Sequence, residues 1–120
     1  RRSRTNTSLQ SLGLLNETQR IEMSRKLAER LLSEAAEDRA RLDLLFTLVA
    51  SRPPNQEERN ACQSLLEKLK TRYAAGQEDA LALLATGDAT RNEKLDPALV
   101  AAWSQVAITV LASDVALLLY

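Results

Sequence analysis

The stretch that decides the fold is RPPNQEERNACQSLLEKLKTRYA, from Arg52 to Ala74. Its two consecutive prolines interrupt any preceding helix, because proline keeps the residue before it out of the α region. Asn55 is followed three residues later by Glu58, which is the spacing of a capping box. These features predict a helix that starts after Asn55 and runs from about Gln56 to Ala74.

Apolar residues within this stretch recur at the spacing of one helical face. They occupy positions i, i+3, i+4, i+7 and i+11, namely Cys62, Leu65, Leu66, Leu69 and Tyr73. Charged residues lie between them, so an amphipathic helix with one buried side is predicted. Cys62 is the only cysteine, which excludes an internal disulfide. Its position on the stripe favours a small core residue, and pairing with a group outside the chain is the alternative.

Outward from this helix, the whole chain is predicted to be helical. Aromatic residues make up 3% of the sequence, β-branched residues are few, and helix formers such as Leu, Ala, Glu and Arg dominate. The other predicted helices cover residues 8–15, 17–33, 38–50 and 77–85, and a last one starts at Asp96-Pro97. The predicted fold class is all-α: a single-domain bundle of about five to six helices over residues 1–120. Because the chain starts at Arg1 rather than Met, we expect it to be an excised piece or a processed product.

Several local features carry their own predictions. Gly76 is expected to end or kink the 56–74 helix, and Leu81 and Leu84 are expected to point inward from the helix that follows. Ser113-Asp114 either breaks the last helix or restarts it toward Tyr120.

Trp103 shares a face with apolar neighbours and is predicted to be a core residue, with a ligand or partner anchor as the alternative.

Composition excludes several classes of function. Sixteen basic and sixteen acidic residues cancel, so no nucleic-acid partner is expected. No apolar run approaches the ~18 to 20 residues of a membrane span. The chain has no histidine, which removes the commonest general base and the commonest zinc ligand. We therefore expect no metal, no cofactor and no catalytic residue here.

The acidic residues do not improve the case for catalysis. Asp38 and Asp43, or Glu17 and Glu22, miss the i, i+4 spacing that would bring two carboxylates together on a helix. They are predicted to lie on solvated helix faces.

The most unusual polar segment is Arg4–Asn16, RTNTSLQSLGLLN. Thr7 or Asn6 can cap a short leucine-faced helix, and Gln10 can bond back to backbone. The alternative is an ordered polar cluster, anchored by Arg4, that contacts a ligand or another domain.

Three segments, in order, carry a family resemblance. Arg4–Asn16, Leu45–Glu58 (LFTLVASRPPNQEE) and Leu95–Ala107 (LDPALVAAWSQVA) resemble the signature of the planctomycete cytochrome-c-associated C-terminal domain of unknown function. Where that family has Gly-Arg, this chain has Ser51-Arg52. It also departs from the family at Ser8 and Glu17, and at 114–116.

The resemblance implies that this chain is a C-terminal fragment, a helical module at the end of a larger secreted or periplasmic bacterial protein whose other parts can include a c-type cytochrome. Any haem is expected elsewhere in that parent protein. The predicted function is a non-catalytic interaction or structural module, whose partner is an upstream domain or another protein. The alternative is an accessory domain that completes a site for a polysaccharide-related substrate, with Arg4, Asn6, Gln10 and Arg52 as the candidate binding residues.

Overall fold

Five helices form the part of the chain that the structure describes. The computed structural model describes residues 16–86 and 92–118, with side chains through residue 112. The helices are α1 (Glu17–Glu34), α2 (Asp38–Ala50), α3 (Gln56–Ala75), α4 (Gln77–Leu84) and α5 (Pro97–Leu118). No strand occurs in these residues, so the predicted all-α fold is confirmed. The helix predicted over residues 8–15 lies outside the described residues.

Two capping boxes set the starts of α1 and α3, as predicted. The Asn16 side chain accepts a hydrogen bond from the Gln19 N–H at 2.8 Å, and Gln19 accepts from the Asn16 N–H at 3.0 Å. Asn55 and Glu58 repeat the arrangement, with both bonds at 2.8 Å. Each box satisfies backbone donors that a helix start leaves without partners.

The C-terminal helix α5 is the centre of the bundle, because it packs against all four other helices. Buried residues occur on most of its sides, and these are Ala98, Val100, Ala101, Ala102, Trp103, Ser104, Val106, Ala107 and Val110. The alanines leave room for neighbouring helices to approach closely. Trp103 is 1% exposed, which confirms its prediction as a core residue. The helix continues through residues 113 and 114 to Leu118 without a break.

α2 and α3 both pack on α5 but make little contact with each other. α2 ends at Ser51, whose φ of 61° and ψ of 23° are left-handed, and the chain turns through the two prolines into α3. Gly76 ends α3 and also begins α4, as expected. Asp96 caps the start of α5 by accepting from the Ala98 N–H at 3.1 Å.

The predicted inward orientation of Leu81 is wrong. Leu81 is 41% exposed, whereas Ala80 and Leu84 are buried. Ala80 and Leu84 are four residues apart and share a face, and Leu81 is rotated by about 100° from Ala80. Leu83 of the same helix is also partly buried against the core, so the buried side of α4 faces away from Leu81. Among the described residues, no helix has both the length and the apolar character needed to cross a membrane.

Candidate functional site

A group of ion pairs connects α2 to α3, which both pack on α5 but make little contact with each other. We call its five charged residues the charge seam: Asp38, Arg41, Asp43, Arg59 and Lys70. Asp38 at the start of α2 accepts from Arg41 at 3.0 Å and from Lys70 of α3. Asp43 accepts from Arg59 of α3 at 2.7 Å. Asp38 and Asp43 keep 26% and 43% of their side chains exposed, so both lie on partly solvated faces, as predicted. Long basic side chains of α3 also bridge to them across the gap between the helices.

Electrostatics within the seam favour the ionised form of Asp38. Partial burial raises the pKa of this carboxyl, but hydrogen bonds and charges from Lys70 and Arg41 outweigh burial and hold its pKa below the ordinary value. Arg41 also donates to the backbone oxygens of Ala35 at 3.0 Å and Ala36 at 3.3 Å. The seam thus fixes the turn between α1 and α2 as well as the α2–α3 separation.

Arg52, a candidate binding residue, lies in the turn between α2 and α3. It donates to both carboxylate oxygens of Glu58, at 2.7 and 2.8 Å, and its guanidinium lies 5.8 Å from the centre of the Phe46 ring. Hydrogen bonding to Arg52, together with the Asn55 backbone bond, lowers the pKa of Glu58 despite partial burial. Arg52 therefore holds the capping box of α3 in place, and its binding role stays a prediction.

A small crevice opens between α2 and α3 beside the seam. Its walls come from three helices, and the lining residues are Asp38, Arg39, Leu42, Arg59, Cys62, Gln63, Leu66 and Trp103. The Cys62 thiol is 8% exposed, which confirms its prediction as a core residue. Burial, followed by the charge of Glu58, raises the pKa of Cys62. Because the thiolate is the nucleophilic form, this environment makes Cys62 unreactive.

Two of the lining residues carry a buried hydrogen-bond donor without an acceptor among the described residues. Trp103 Nε1 and Arg59 Nη1 are both buried and find no partner among the residues that the structure describes. The other end of the Arg59 guanidinium binds Asp43. An unsatisfied buried donor costs about 1 to 3 kcal/mol, so both atoms favour an oxygen acceptor.

A second polar cluster lies inside the bundle, and the sequence interpretation missed it. Arg25 is fully buried in α1, and its Nη1 lies 3.5 Å from Glu29 Oε2. Glu29 Oε2 also accepts from the Asn92 N–H at 2.8 Å, which ties α1 to the segment before α5. The available signal was the i, i+4 spacing of Arg25 and Glu29 next to Ala28 on the buried face.

The remaining site predictions fall outside these clusters. Arg4, Asn6 and Gln10 lie outside the described residues, so a binding site that they form with Arg52 stays a prediction. Residues 16–86 and 92–118 hold no group of three or more His, Cys, Asp or Glu side chains that could bind a metal ion. The described polar groups can hold helices together and offer hydrogen bonds to an acceptor.

Comparison with protein families gives one match. The model of the family described as PSD1: Protein of unknown function (DUF1553) matches residues 1–66, which is more than half of the 120 residues. The first two of the three resembling segments lie inside the matched range, and Leu95–Ala107 lies beyond it. No curated protein and no solved structure matches the chain.

Proposed function

Since this chain belongs to the family PSD1: Protein of unknown function (DUF1553), we propose that it is a non-catalytic helical interaction module. It packs against an upstream domain of its parent protein or against another protein. The family description leaves the activity open, so the proposal rests on how the described side chains are used.

The observation that carries the proposal is the apolar outer side of α2. Leu48 is 38% exposed, and Leu44, one turn earlier, is only partly buried against the core. Residues four apart on a helix are neighbours on its surface, so the two leucines form a short apolar ridge. Burial of that ridge by a partner stabilises the complex.

The charged residues also support a structural role. The seam connects α2 to α3, Arg52 holds the start of α3, and Glu29 connects α1 to Asn92. These contacts serve the geometry of the bundle. A helical frame that carries an apolar ridge on its surface fits a docking module.

The proposal also covers the larger protein to which this chain belongs and the location of that protein. The resemblance of three segments to the planctomycete cytochrome-c-associated domain supports a bacterial parent that is secreted or periplasmic and that carries haem elsewhere. A haem absorption spectrum of the purified parent and of the 120-residue chain tests this setting. We expect haem in the parent and none in this chain; haem in this chain, or a parent without haem, contradicts it.

Calorimetric titration of the chain with the separately purified remainder of the parent tests the docking role. We expect Leu48→Gln to weaken binding by about tenfold, because a leucine contact contributes roughly 1.5 kcal/mol. Thr47→Gln is the matched control, since Thr47 is exposed beside Leu48. This variant should bind as tightly as the unsubstituted chain. No binding, or equal losses in both variants, contradicts the proposal.

A further inference from the structure

Among the described helices, α2 is the one least attached to the rest of the bundle. It makes less contact with α5 than α1, α3 or α4 does, although α4 is shorter than α2. Three side chains of α2 are buried, and these are Leu42, Leu45 and Phe46. A region with few packed contacts opens at a lower free energy than the whole protein unfolds. An opening that leaves the other helices folded is therefore expected to start at α2.

The two ends of α2 allow the helix to move as a unit. The cap residue Glu37 makes no side-chain hydrogen bond to the start of α2. Ser51, at the other end, is left-handed, a conformation that is unfavourable for a residue with a Cβ. Arg41 nevertheless connects α2 to the end of α1, because its guanidinium donates to the backbone oxygens of Ala35 and Ala36. The turn between α1 and α2 can thus act as the pivot of a movement.

Ion pairs of the charge seam hold α2 to α3. Apart from them, the two helices make little contact. Lys70 of α3 donates to Asp38, and Arg59 of α3 donates to Asp43 at 2.7 Å. Because the two aspartates keep 26% and 43% of their side chains exposed, dissolved ions screen both pairs. The attraction between α2 and α3 therefore weakens as the salt concentration rises.

Separation of α2 from α3 uncovers buried side chains of the crevice. Leu42 of α2, Cys62 and Leu66 of α3 and Trp103 of α5 line it, and all four are buried. We propose that α2 is a movable helix: the charge seam holds it against α3, and it swings away about the α1–α2 turn while the other helices stay folded. The open form is a minor population, so the whole chain still unfolds in one transition. This movement does not depend on whether α2 docks a partner.

Chemical labelling of Cys62 detects the open form. Cys62 is the only cysteine, and methyl methanethiosulfonate is an uncharged thiol reagent whose approach to the protein does not depend on salt. The labelling rate of the folded chain, divided by that of the urea-unfolded chain, gives the fraction of molecules in which Cys62 is accessible. We expect this fraction to exceed the globally unfolded fraction by at least about tenfold. It should also rise less steeply with urea than global unfolding does, because α2 exposes only part of the buried surface.

Amide hydrogen exchange, measured residue by residue with nuclear magnetic resonance, identifies the helix that opens. After correction for intrinsic rates, the amides of Leu45 and Phe46 in α2 should exchange at least about tenfold faster than those of Val106 and Ala107 in α5. The amide of Leu66 in α3 should exchange as slowly as those in α5, since α3 stays folded when α2 opens.

Salt and one variant test the role of the charge seam. An increase from about 0.01 M to about 1 M sodium chloride shortens the Debye length from about 30 Å to about 3 Å and should raise the accessible fraction of Cys62 at least about twofold. Lys70→Gln should raise it by about two- to fivefold at low salt, the effect of one partly exposed ion pair. Lys68→Gln is the matched control on the exposed side of the same helix and should change nothing. The salt series needs no substitution, so it remains informative if Lys70→Gln does not fold.

Three results overturn the proposal. The first is α2 amides that exchange as slowly as those of α5. The second is an accessible fraction of Cys62 that equals the globally unfolded fraction, since Cys62 would then react only in the unfolded chain. The third is an accessible fraction that neither salt nor Lys70→Gln changes, or that Lys68→Gln raises as much as Lys70→Gln does, since the charge seam would then not hold α2 in place.

Discussion

Ser51 is the residue with the least favourable backbone conformation in the described chain. Its φ of 61° is left-handed, a conformation that costs a residue with a Cβ about 1 to 2 kcal/mol and glycine almost nothing. The resembling family has glycine at this place. Ser51 therefore ends α2 at a cost that glycine avoids.

Replacement of this serine should stabilise the protein. We expect Ser51→Gly to raise the free energy of unfolding by about 0.5 to 1 kcal/mol, because the relief of strain exceeds the added entropy of the unfolded chain. Urea unfolding followed by circular dichroism measures it. Ser51→Ala keeps the strain and should gain nothing; a gain equal to that of Ser51→Gly argues against strain as the cause.

Glu58 should make stability depend on pH. A carboxyl whose pKa is lowered by folding stabilises the fold above its unfolded pKa, and that stability is lost as pH falls through the folded value. At pH 7, Glu58→Gln should lose about 0.5 to 1 kcal/mol, a modest value because the Arg52 side chain is 42% exposed. The difference between the variant and the unsubstituted chain should begin to shrink as pH falls below the ordinary glutamate pKa of about 4.3, and it should vanish once pH is below the lowered folded pKa.

Unfolding curves at several pH values check this expectation. Glutamine can still complete the capping box, so Glu58→Gln reports the charge contact with Arg52. Glu57→Gln on the exposed neighbour should stay within about 0.5 kcal/mol at every pH. A Glu58→Gln deficit that persists unchanged into acid would assign the loss to packing.

At the residue scale, the sequence predicted contacts within a helix but not contacts between helices. Cys62 and Trp103 were correctly placed in the core because their spacing aligns with leucines. The ion pairs of Asp38 and Asp43 were not predicted, because their partners Lys70 and Arg59 lie on another helix and only the packed fold brings them together. A fully buried arginine such as Arg25 is disfavoured by burial alone, so its position depends on Glu29 and on tertiary structure.

At the scale of single helices, the start signals were the most reliable guide. The capping boxes at Asn16 and Asn55 and the capping Asp96 start their helices where predicted, because each satisfies local backbone donors by itself. The inward face of α4 was less predictable. Leu81 and Leu84 are both apolar, and the contact with α5 decides which of them is buried.

The cap of α3 can be tested with a matched pair of asparagines. Asn55→Ala should destabilise the protein by about 1 kcal/mol, since it leaves helix-start donors without their side-chain acceptor. Asn60→Ala, in the exposed second turn of the same helix, loses only an exposed side-chain hydrogen bond from Gln56 and should cost little, because alanine is the better helix former. Thermal unfolding compares the two. Equal effects would show that the Asn55 cap contributes little.

At the scale of the whole molecule, close packing around α5 explains its many alanines. Ala102 is fully buried, so Ala102→Leu should destabilise the bundle by about 1 to 3 kcal/mol through overpacking. Ala112→Leu on the same helix is the control, since Ala112 is exposed and leucine is a good helix former. Chemical unfolding measures both. Tolerance of leucine at Ala102 would mean that the neighbours of α5 are loosely packed.

The described helices share one core built around α5, and the seam, the crevice and the apolar ridge all depend on that core. Chemical unfolding followed at once by Trp103 fluorescence and by far-ultraviolet circular dichroism is the sharpest test. Trp103 reports the buried centre of α5, and circular dichroism reports all helices together. We expect a blue-shifted folded emission and two transitions that coincide. Two separate transitions, or a solvent-like emission from the folded chain, would contradict it.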